Sequence, residues 1–473
     1  MTTTTIDAWS VRLLGRRRRS RRARRGGEGG ADPSASGSGS ASAAPVVRRR
    51  HNSMFLGIAF LVAVLNLLGL VMVLSASSAY ALDRYGSSWY HVTRQATWAL
   101  AGTAVLILIA RVDYHRWRDH AGVMLGGTIV LLAGVLVVGN SHRGASRWIG
   151  FGALTFQPGE LVKLTFIVWV ADLLARRANQ MHNSRATIRP VLVALAVVGG
   201  LIMLQPNLGT TVVITCIAMA MCFVAGVRMR PFLLASGVGL TLATILAVSS
   251  EYRRERVLSF LNPMADPQGE NYQSVQSLVG LASGGFAGSG LGGSRAKFGF
   301  LPFAHSDFIF AIIGEELGLV GALVVVALFV LFGILGVRVA LHAPDRFGML
   351  LAVGITAWFL FQAFVNISVV AGVLPVTGVP LPFVSYGGSS LIFSMGAAGL
   401  LLAVARKAVR PGSRGASAGV PGASGASGPS DGDGGADDDP DGGGRPQRRR
   451  SRDGVGVGAR DGGPDAEFEG ALT

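Results

Sequence analysis

The chain has 473 residues, half of them apolar, and a formal net charge of +16. The apolar residues come in runs of about 20, the helical length that crosses a hydrocarbon core roughly 30 Å thick. These runs exclude an ordinary soluble domain. They predict an integral membrane protein built of α-helices, because a helix satisfies its own backbone hydrogen bonds in lipid.

The positive charge is concentrated before the first apolar run. Residues 1–52 hold 12 Arg against 3 acidic residues, which accounts for +9 of the total. In a membrane protein, a basic Gly/Ser-rich segment at this position is typical of a tail held at the cytoplasmic lipid surface. We therefore expect residues 1–52 to form a basic, disordered cytoplasmic tail, with the membrane and not nucleic acid as its partner.

Ten apolar segments predict ten transmembrane helices. Their expected ranges are 54–75, 92–110, 121–139, 159–176, 190–205, 209–227, 231–249, 308–337, 347–372 and 385–405. Because ten is an even number, both termini are expected on the same side of the membrane. The predicted fold is an all-α integral membrane domain over residues 53–408, with a large extracytoplasmic loop over residues 250–306.

Basic residues select the side on which the termini lie. The short loops on the face shared with the N-terminus include Arg111, Arg116, Arg118, Arg176, Arg177, Arg185, Arg189, Arg228, Arg230, Arg338, Arg346, Arg406, Lys407 and Arg410. The positive-inside rule assigns this face to the cytoplasm. Residues 409–473 are rich in Gly, Pro, Ser, Asp and Arg, so they predict a second disordered cytoplasmic tail.

The segment from Asn262 to Glu316 is polar, glycine-rich and basic, whereas its neighbours are apolar. The predicted extracytoplasmic loop carries Arg253, Arg254, Arg256, Arg295 and Lys297. These charges indicate either a solvated surface or an outward-facing anion site. The run Gly284–Gly293 contains the letters of a dinucleotide fingerprint, but no strand precedes it, so that interpretation is rejected. Its glycines predict either a flexible loop or close backbone approach to an anionic group.

Asp307 follows His305 and Ser306 at the start of the eighth apolar segment. A carboxylate at a membrane interface, whose pKa burial raises, is a candidate general base. The alternative is that Asp307 caps the next helix, a role that aspartate suits well.

Other polar residues lie within or beside the apolar segments. Glu160 and Lys163 are spaced i,i+3 in a helix, so they share a face and can pair. They indicate either a structural ion pair or the lining of a substrate cavity. Arg147 precedes them in an outward loop, and Ser385 and Tyr386 open the last apolar segment.

Several separated motifs together resemble those of the SEDS (FtsW/RodA) family of bacterial cell-wall polymerases, over the chain from Met54 to Arg410. In order, they are Gly144–Ile149, Gln157–Glu160 with Lys163, Gln205–Thr210, His305–Phe308 and Pro380–Gly388. The run from Gly290 to Gly318 is more similar to the division branch than to the elongation branch.

Three positions depart from the family pattern. Gly159 stands where Ser is common, Asn207 where Asp is common, and Ser306 where Thr is common. Ser306 keeps the hydroxyl group. Asn207 lacks the charge, so this position is not assigned a catalytic carboxylate role.

The resemblance implies a ten-helix glycosyltransferase that polymerises lipid II into glycan strands on the outer face of the cell membrane, during septal wall synthesis. It implies lipid II and undecaprenyl pyrophosphate as ligands. A class B penicillin-binding protein transpeptidase and other divisome proteins at the division septum are the implied partners.

By motif position, the resemblance makes Asp307 the catalytic aspartate, acting as general base in an inverting displacement. The expected substrate-binding residues are Arg147, Glu160, Lys163, Arg295, Lys297, His305, Ser306, Ser385 and Tyr386. No cofactor is expected apart from a candidate divalent cation, Mg²⁺ or Mn²⁺, at the leaving pyrophosphate.

Two other functions stay open on the residues alone. A flippase or secondary transporter for a lipid-linked precursor would also need many spans and intramembrane charges. Its site is expected near the midplane, with paired broken helices, whereas the polar cluster here lies at one end of the spans. A noncatalytic scaffold for division proteins would depend on the two tails.

Overall fold

The computed structural model describes residues 44–408, except positions 139, 143–144, 152–153, 179–183, 229, 235, 238 and 240–270. Its helices are α1 (Ala44–Tyr85), α2 (Tyr90–Arg111), α3 (His115–Asp119), α4 (Ala121–Val138), α5 (Pro158–Arg176), α6 (Ser184–Leu204), α7 (Leu208–Ala225), α8 (Tyr272–Gly284), α9 (Ile309–His342), α10 (Arg346–Val370) and α11 (Gly388–Lys407). Most of the predicted span at 231–249 lies outside the described residues: only positions 231–234, 236, 237 and 239 are described, and they are helical. Both tails also lie outside them, apart from positions 44–52, which belong to α1.

The predicted helical membrane fold is confirmed. Within the described part of the chain, six helices are long and apolar enough to cross a membrane: Ser53–Tyr85, Tyr90–Arg111, Thr187–Leu204, Ile309–His342, Arg346–Val370 and Gly388–Lys407. The apolar helices Ala121–Val137 and Leu208–Val224 are shorter. α10 lies at the centre, where it packs against α5, α7, α9 and α11.

A small antiparallel sheet, which the sequence did not predict, connects α4 to α5. Its strands are β1 (Asn140–His142), β2 (Ala145–Phe151) and β3 (Leu154–Phe156), in the order β1-β2-β3. Ile149 of β2 pairs with Phe156 of β3. Aromatic and β-branched residues favour strands, and they cluster in β2. The backbone of Arg147 therefore belongs to the central strand of this sheet.

A second unpredicted element, α8, lies within the predicted extracytoplasmic loop. The Ser277 hydroxyl donates to the Val370 carbonyl at 3.1 Å, which fastens α8 to the end of α10. At Gly284, a Cβ atom would lie 2.9 Å from the Glu315 Cα, so only glycine permits this approach to α9. The loop is thus partly helical and packed on the bundle.

α9 is broken at Gly318, whose backbone has φ 66° and ψ −167°. Because of the break, the carbonyls of Glu315 and Glu316 need hydrogen-bond donors from outside the helix. The glycine-rich segment before α9 supplies them: the Ser289 and Gly290 N–H groups donate to these two carbonyls, each at 3.0 Å. The prediction of close backbone approach is therefore correct, and the partner that the structure shows is the broken helix α9.

The two adjacent carboxylates at the break are also held from outside α9. The Ser75 hydroxyl of α1 donates to Glu316 Oε1 at 2.6 Å, and the Ser294 hydroxyl donates to Glu315 Oε2 at 2.5 Å. Both glutamates are buried. The break is therefore a fixed junction between α1, α9 and the loop.

One end of the bundle, which we call the basic end, is joined by charged contacts. Lys407 pairs with Asp113, and Arg118 and Arg176 both donate to Asp172 Oδ1, at 2.8 Å and 2.7 Å. The Tyr114 hydroxyl donates to Asp345, which also caps α10. These contacts confirm that the predicted basic loops share one face.

The opposite end has a rim that can be located by length. A membrane crossing takes about 20 helical residues. Counted from the basic end, about 20 residues lead from Arg338 to Gly318 in α9. A similar number leads from Met54 to Ser75 in α1. The two helices agree, since Ser75 contacts Glu316 beside the break. The break therefore lies at the level of this rim, within the apolar helix Ile309–His342, whose start agrees with the predicted span at 308–337.

The first part of α9, Ile309–Leu317, rises towards this rim. Val384 belongs to the segment that contacts residues 305–307. It lies beside Gly69 of α1, because a Cβ atom on Gly69 would be 2.8 Å from the Val384 Cα. Glu316 lies beside Ser75, which is six residues further along α1. At 1.5 Å per residue, the start of α9 is recessed by about 9 Å below the rim.

We predict that Gly318→Ala destabilises the protein. A Cβ atom there would lie 2.5 Å from the Phe286 carbonyl oxygen, and the positive φ is unfavourable for alanine, with a cost of about 1–3 kcal/mol for such backbone strain. The thermal midpoint of the purified protein measures the effect. Gly126→Ala is the matched control, because a Cβ atom there meets nothing within 4 Å and alanine favours a helix. Equal midpoints for the two variants would contradict the account of the break.

Candidate active site

Asp307 lies in the recess, two residues before α9 begins at Ile309. It is half-buried, and its Oδ2 atom lies 3.5 Å from where a Cβ atom of Gly378 would be. Phe308 occupies the capping position of α9 and makes no side-chain cap hydrogen bond. The structure therefore gives the cap position to Phe308 and places the Asp307 carboxylate against the segment before α11.

Three donors from one part of the chain hold three successive carbonyl groups, an arrangement that we call the carbonyl clamp. The carbonyls of residues 305, 306 and 307 accept hydrogen bonds, in that order, from the Tyr386 N–H at 3.0 Å, the Ser385 hydroxyl at 2.7 Å and the Asn366 side-chain amide at 2.7 Å. Non-helical backbone in lipid needs such partners. The clamp fixes the backbone on which Asp307 stands.

Asn366 and Ser385 each join the two segments of the clamp. Asn366 Nδ2 also donates to the Val379 carbonyl at 2.8 Å, and Ser385 Oγ also accepts from the Leu381 N–H at 2.8 Å. Both side chains are buried. In this arrangement the Ser385 hydroxyl positions the backbone, whereas the sequence predicted a substrate-binding residue.

Backbone strain marks both segments. Phe303 and Phe383 have φ of 59° and 66°, in the left-handed region that favours glycine. Such strain costs about 1–3 kcal/mol per residue and persists only where the surroundings enforce it. The Phe383 ring is buried at 4.8 Å from the Phe359 ring, measured between centroids, which holds the second segment.

His305 belongs to an aromatic cluster made of Tyr80, Tyr85, Tyr90, His91, His305 and Tyr386. Its ring stacks on His91, with 4.9 Å between centroids. Burial, followed by the neighbouring His91, lowers the pKa of His305 to about 4. Ser306 is engaged locally, since its hydroxyl donates to the Phe303 carbonyl at 3.3 Å.

The predicted pairing of Glu160 with Lys163 is confirmed. Lys163 Nζ donates to Glu160 Oε1 at 2.9 Å and to Gln362 Oε1 at 2.6 Å, and it is 1% exposed. Ser390 donates to the second Glu160 oxygen at 3.0 Å. A buried ion pair needs such additional hydrogen bonds to offset desolvation.

This ion pair connects to the carbonyl clamp through one side chain. Gln362 Nε2 donates to the Pro380 carbonyl at 2.8 Å, and its Oε1 also accepts from the Trp358 indole at 2.6 Å. Pro380 follows Val379, which Asn366 holds. Gln362 therefore joins the buried charges to the segment that fixes Asp307.

The other predicted cations are placed differently. Arg295 is exposed, and its backbone N–H donates to Glu315 Oε1 at 2.7 Å. Lys297 donates to the Gly292 carbonyl and lies 5.4 Å from the Phe298 ring centroid. The side chain of Arg147 lies outside the described residues. The structure therefore brings together Asp307, His305, Ser306, Ser385 and Tyr386, and separately Glu160 with Lys163.

Sequence reasoning missed Gln362 and Asn366. Both lie in α10, one helical turn apart, in an otherwise strongly apolar helix. A polar side chain at such a position usually faces the bundle interior and has a specific partner. That signal was available in the sequence.

Comparisons with known proteins agree over one long region. A family model described as "Cell cycle protein", for FtsW, RodA and SpoVE, matches residues 56–410. The probable peptidoglycan glycosyltransferase FtsW of Geobacter metallireducens is 41% identical over 345 residues, or 72% of this chain and 92% of that protein. Stage V sporulation protein E of Bacillus subtilis is 40% identical over 341 residues, or 72% and 93%.

Solved structures share the fold. A chain of a peptidoglycan synthase complex has a TM-score of 0.62 at 33% identity, over 74% of this chain and 97% of that chain. The rod shape-determining protein RodA of Thermus thermophilus has a TM-score of 0.56 at 29% identity, over 75% and 97%. The resemblance inferred from the motifs is thereby confirmed, and the chain belongs to the FtsW/RodA/SpoVE family.

Proposed function

We infer that the chain is a peptidoglycan glycosyltransferase that polymerises lipid II into glycan strands. The names of its relatives support this activity. The observation that carries the proposal for the site is the carbonyl clamp, because it holds a carboxylate in a recess below the rim. The relatives named above are not described as transporters, and nothing specific favours that function.

The rim is proposed to face outward. The basic end holds Arg111, Arg338, Arg346 and Lys407, and the positive-inside rule assigns such an end to the cytoplasm. Both termini are then cytoplasmic. The lipid-linked substrate would have its pyrophosphate near the rim and its polyprenyl chain among the apolar helix surfaces.

In the proposed mechanism, Asp307 is the general base. Its carboxylate accepts the proton from the attacking sugar hydroxyl while that oxygen forms a bond to the anomeric carbon of the other substrate. The bond from the anomeric carbon to the pyrophosphate oxygen breaks, and undecaprenyl pyrophosphate leaves with the bonding electrons. A single displacement inverts the anomeric centre and needs only one base. The recess limits water access, which favours transfer to a sugar over hydrolysis.

The leaving pyrophosphate requires positive charge. Arg147, Arg295 and Lys297 stay the proposed cations for this role, with Tyr386 lining the approach to Asp307. Lys163 is fully engaged with Glu160 and Gln362. We therefore assign it a positioning role, through Gln362 and the Pro380 segment.

A divalent cation brought by the substrate phosphates is also proposed. The described residues contain no group of three or more His, Cys, Asp or Glu side chains that would hold a metal ion. The protein atoms at the site therefore do not form a resident metal centre in that part of the chain, and no step above passes through a metal.

A crosslinking partner is proposed as well. The chain from a peptidoglycan synthase complex has the same fold as this chain. A class B penicillin-binding protein transpeptidase at the division septum, with other divisome proteins, would use the glycan strands as they form.

We predict that Asp307→Asn lowers the polymerisation rate by roughly 10²–10⁴-fold, the usual contribution of general-base catalysis. The assay supplies lipid II to the purified protein with its partner and measures glycan strands. Asp83→Asn is the matched control, because Asp83 is exposed at the end of α1. An undiminished rate in Asp307→Asn would overturn the base assignment.

We predict that Asn366→Ala lowers kcat by about 10²-fold, because small displacements of a catalytic group cost that much. The variant removes the donor that holds the Asp307 and Val379 carbonyls. Binding of lipid II should change little, since Asn366 is buried. Asn66→Ala in α1 makes the same truncation at an asparagine that is not one of the three donors of the clamp. A rate equal to that of Asn66→Ala would show that the clamp does not position Asp307.

We predict that Lys163→Met lowers the thermal midpoint strongly, because removing one partner of a buried pair costs about 3–5 kcal/mol. The double variant Glu160→Gln with Lys163→Met should recover most of that stability, since no buried charge is left unpaired. Thermal midpoints of the three purified proteins test this. A double variant no more stable than Lys163→Met would exclude the ion pair as the cause.

A further inference from the structure

Residues 385–387, just before α11, form a short extended segment with two hydrogen-bonding edges. Gly387 has φ 170° and ψ 105°, which is extended backbone. In extended backbone, successive residues direct their N–H and C=O groups to opposite edges. One edge faces the first segment of the clamp, because the Tyr386 N–H donates to the His305 carbonyl. The other edge, which presents the Ser385 carbonyl and the Gly387 N–H, needs a partner of its own.

Gln95 of α2 is that partner. Its Nε2 atom donates to the Ser385 carbonyl at 3.3 Å, and its Oε1 atom accepts from the Gly387 N–H at 3.3 Å. A side-chain amide carries donors and an acceptor side by side, so one glutamine satisfies both backbone groups as a neighbouring strand would. The Gln95 side chain is buried. Buried backbone groups that lose their partners are costly, so both groups depend on this side chain.

The helix that carries Gln95 packs in close contact with α11. A Cβ atom on Gly388 would lie 2.5 Å from Trp98 Nε1, and one on Gly399 would lie 2.6 Å from the Leu106 carbonyl oxygen. Glycine at these two positions therefore lets α2 and α11 approach each other along their length. This close packing fixes where Gln95 stands relative to the start of α11.

His91, one helical turn before Gln95, contacts the clamp from the same face of α2. Its ring lies 5.0 Å from the Tyr386 ring and 4.9 Å from the His305 ring, measured between centroids. His91 is buried. This face of α2 therefore packs against both segments of the clamp.

We propose that Gln95 is a positioning residue for Asp307, an inference that rests on the glycosyltransferase function proposed above. Gln95 fixes the backbone that carries two donors of the carbonyl clamp, the Ser385 hydroxyl and the Tyr386 N–H. The third donor, Asn366, belongs to α10. Asp307 is therefore held from α2 as well as from α10.

Amide hydrogen exchange tests the hold on this segment without any substrate. Gln95→Met keeps the length of the side chain but removes its donor and its acceptor. In the full-length protein in detergent micelles, peptides that contain residues 385–387 and 301–308 should exchange roughly 2- to 10-fold faster than in the parent, the change expected when the net contribution of one hydrogen bond is lost. Thr128→Val is the matched control, because it removes a buried hydroxyl whose hydrogen bond stays within α4. Unchanged exchange at residues 385–387 in Gln95→Met would overturn the proposal.

Polymerisation of lipid II by the purified protein with its partner tests the link to Asp307. Gln95→Met should lower kcat by about 10- to 10²-fold with little change in KM, because displacement of a catalytic group slows the chemical step. Gln95→Glu is the second variant: it keeps the acceptor for the Gly387 N–H but places an oxygen against the Ser385 carbonyl, so it should lower kcat as well. Thermal midpoints show whether each variant is folded. A raised KM with an unchanged kcat in the folded variants would overturn the positioning role.

A double variant separates positioning from a general loss of structure. Asp307→Asn removes the group that Gln95 positions, so adding Gln95→Met to it should change the remaining rate by no more than about twofold. Losses that multiply would overturn the proposal. A parent protein that makes no glycan strands would contradict the proposed function instead, and the exchange measurement would still decide whether Gln95 holds residues 385–387.

Discussion

Unpaired backbone groups are costly in a hydrocarbon environment, and this constraint determines the end of the bundle at which Asp307 lies. Two stretches there are not helical: residues 301–308, and the segment from Gly372 to Gly387. Irregular backbone at membrane depth needs protein donors for its carbonyls wherever lipid or packed side chains exclude water. The carbonyl clamp and the donors of Gln362 meet that requirement. The polar residues in these apolar helices therefore donate hydrogen bonds to irregular backbone, and that backbone carries Asp307.

The same reasoning accounts for the break in α9. A helix that ends inside the bundle exposes carbonyls, and here Ser289 and Gly290 bind those of Glu315 and Glu316. The tight fit at Gly288, where a Cβ atom would lie 2.7 Å from the Gly318 nitrogen, requires glycine on both sides. The glycine-rich sequence is thus explained by packing against a broken helix, with no ligand needed.

Much of this architecture could be predicted from the sequence. The apolar runs gave the helices, the basic loops gave the shared face, and the i,i+3 spacing gave the Glu160–Lys163 pair. The break at Gly318 could not be found this way, because the apolar pattern continues through it and long-range donors decide it. The sheet and α8 were missed because short elements have weak periodicity. The clamp depends on contacts between residues about 60 to 80 positions apart, such as Asn366 with Asp307 and Ser385 with Ser306.

The first part of α9 has a mechanical consequence. Ile309–Leu317 begins beside Asp307 and ends against the glycine-rich segment Gly285–Gly293. That segment cannot slide on α9 without breaking the hydrogen bonds at the break. The carbonyl clamp holds the other end of this short helix, because Asn366 binds the Asp307 carbonyl. A displacement of the glycine-rich segment therefore requires that Ile309–Leu317 bends or that Asp307 moves with it.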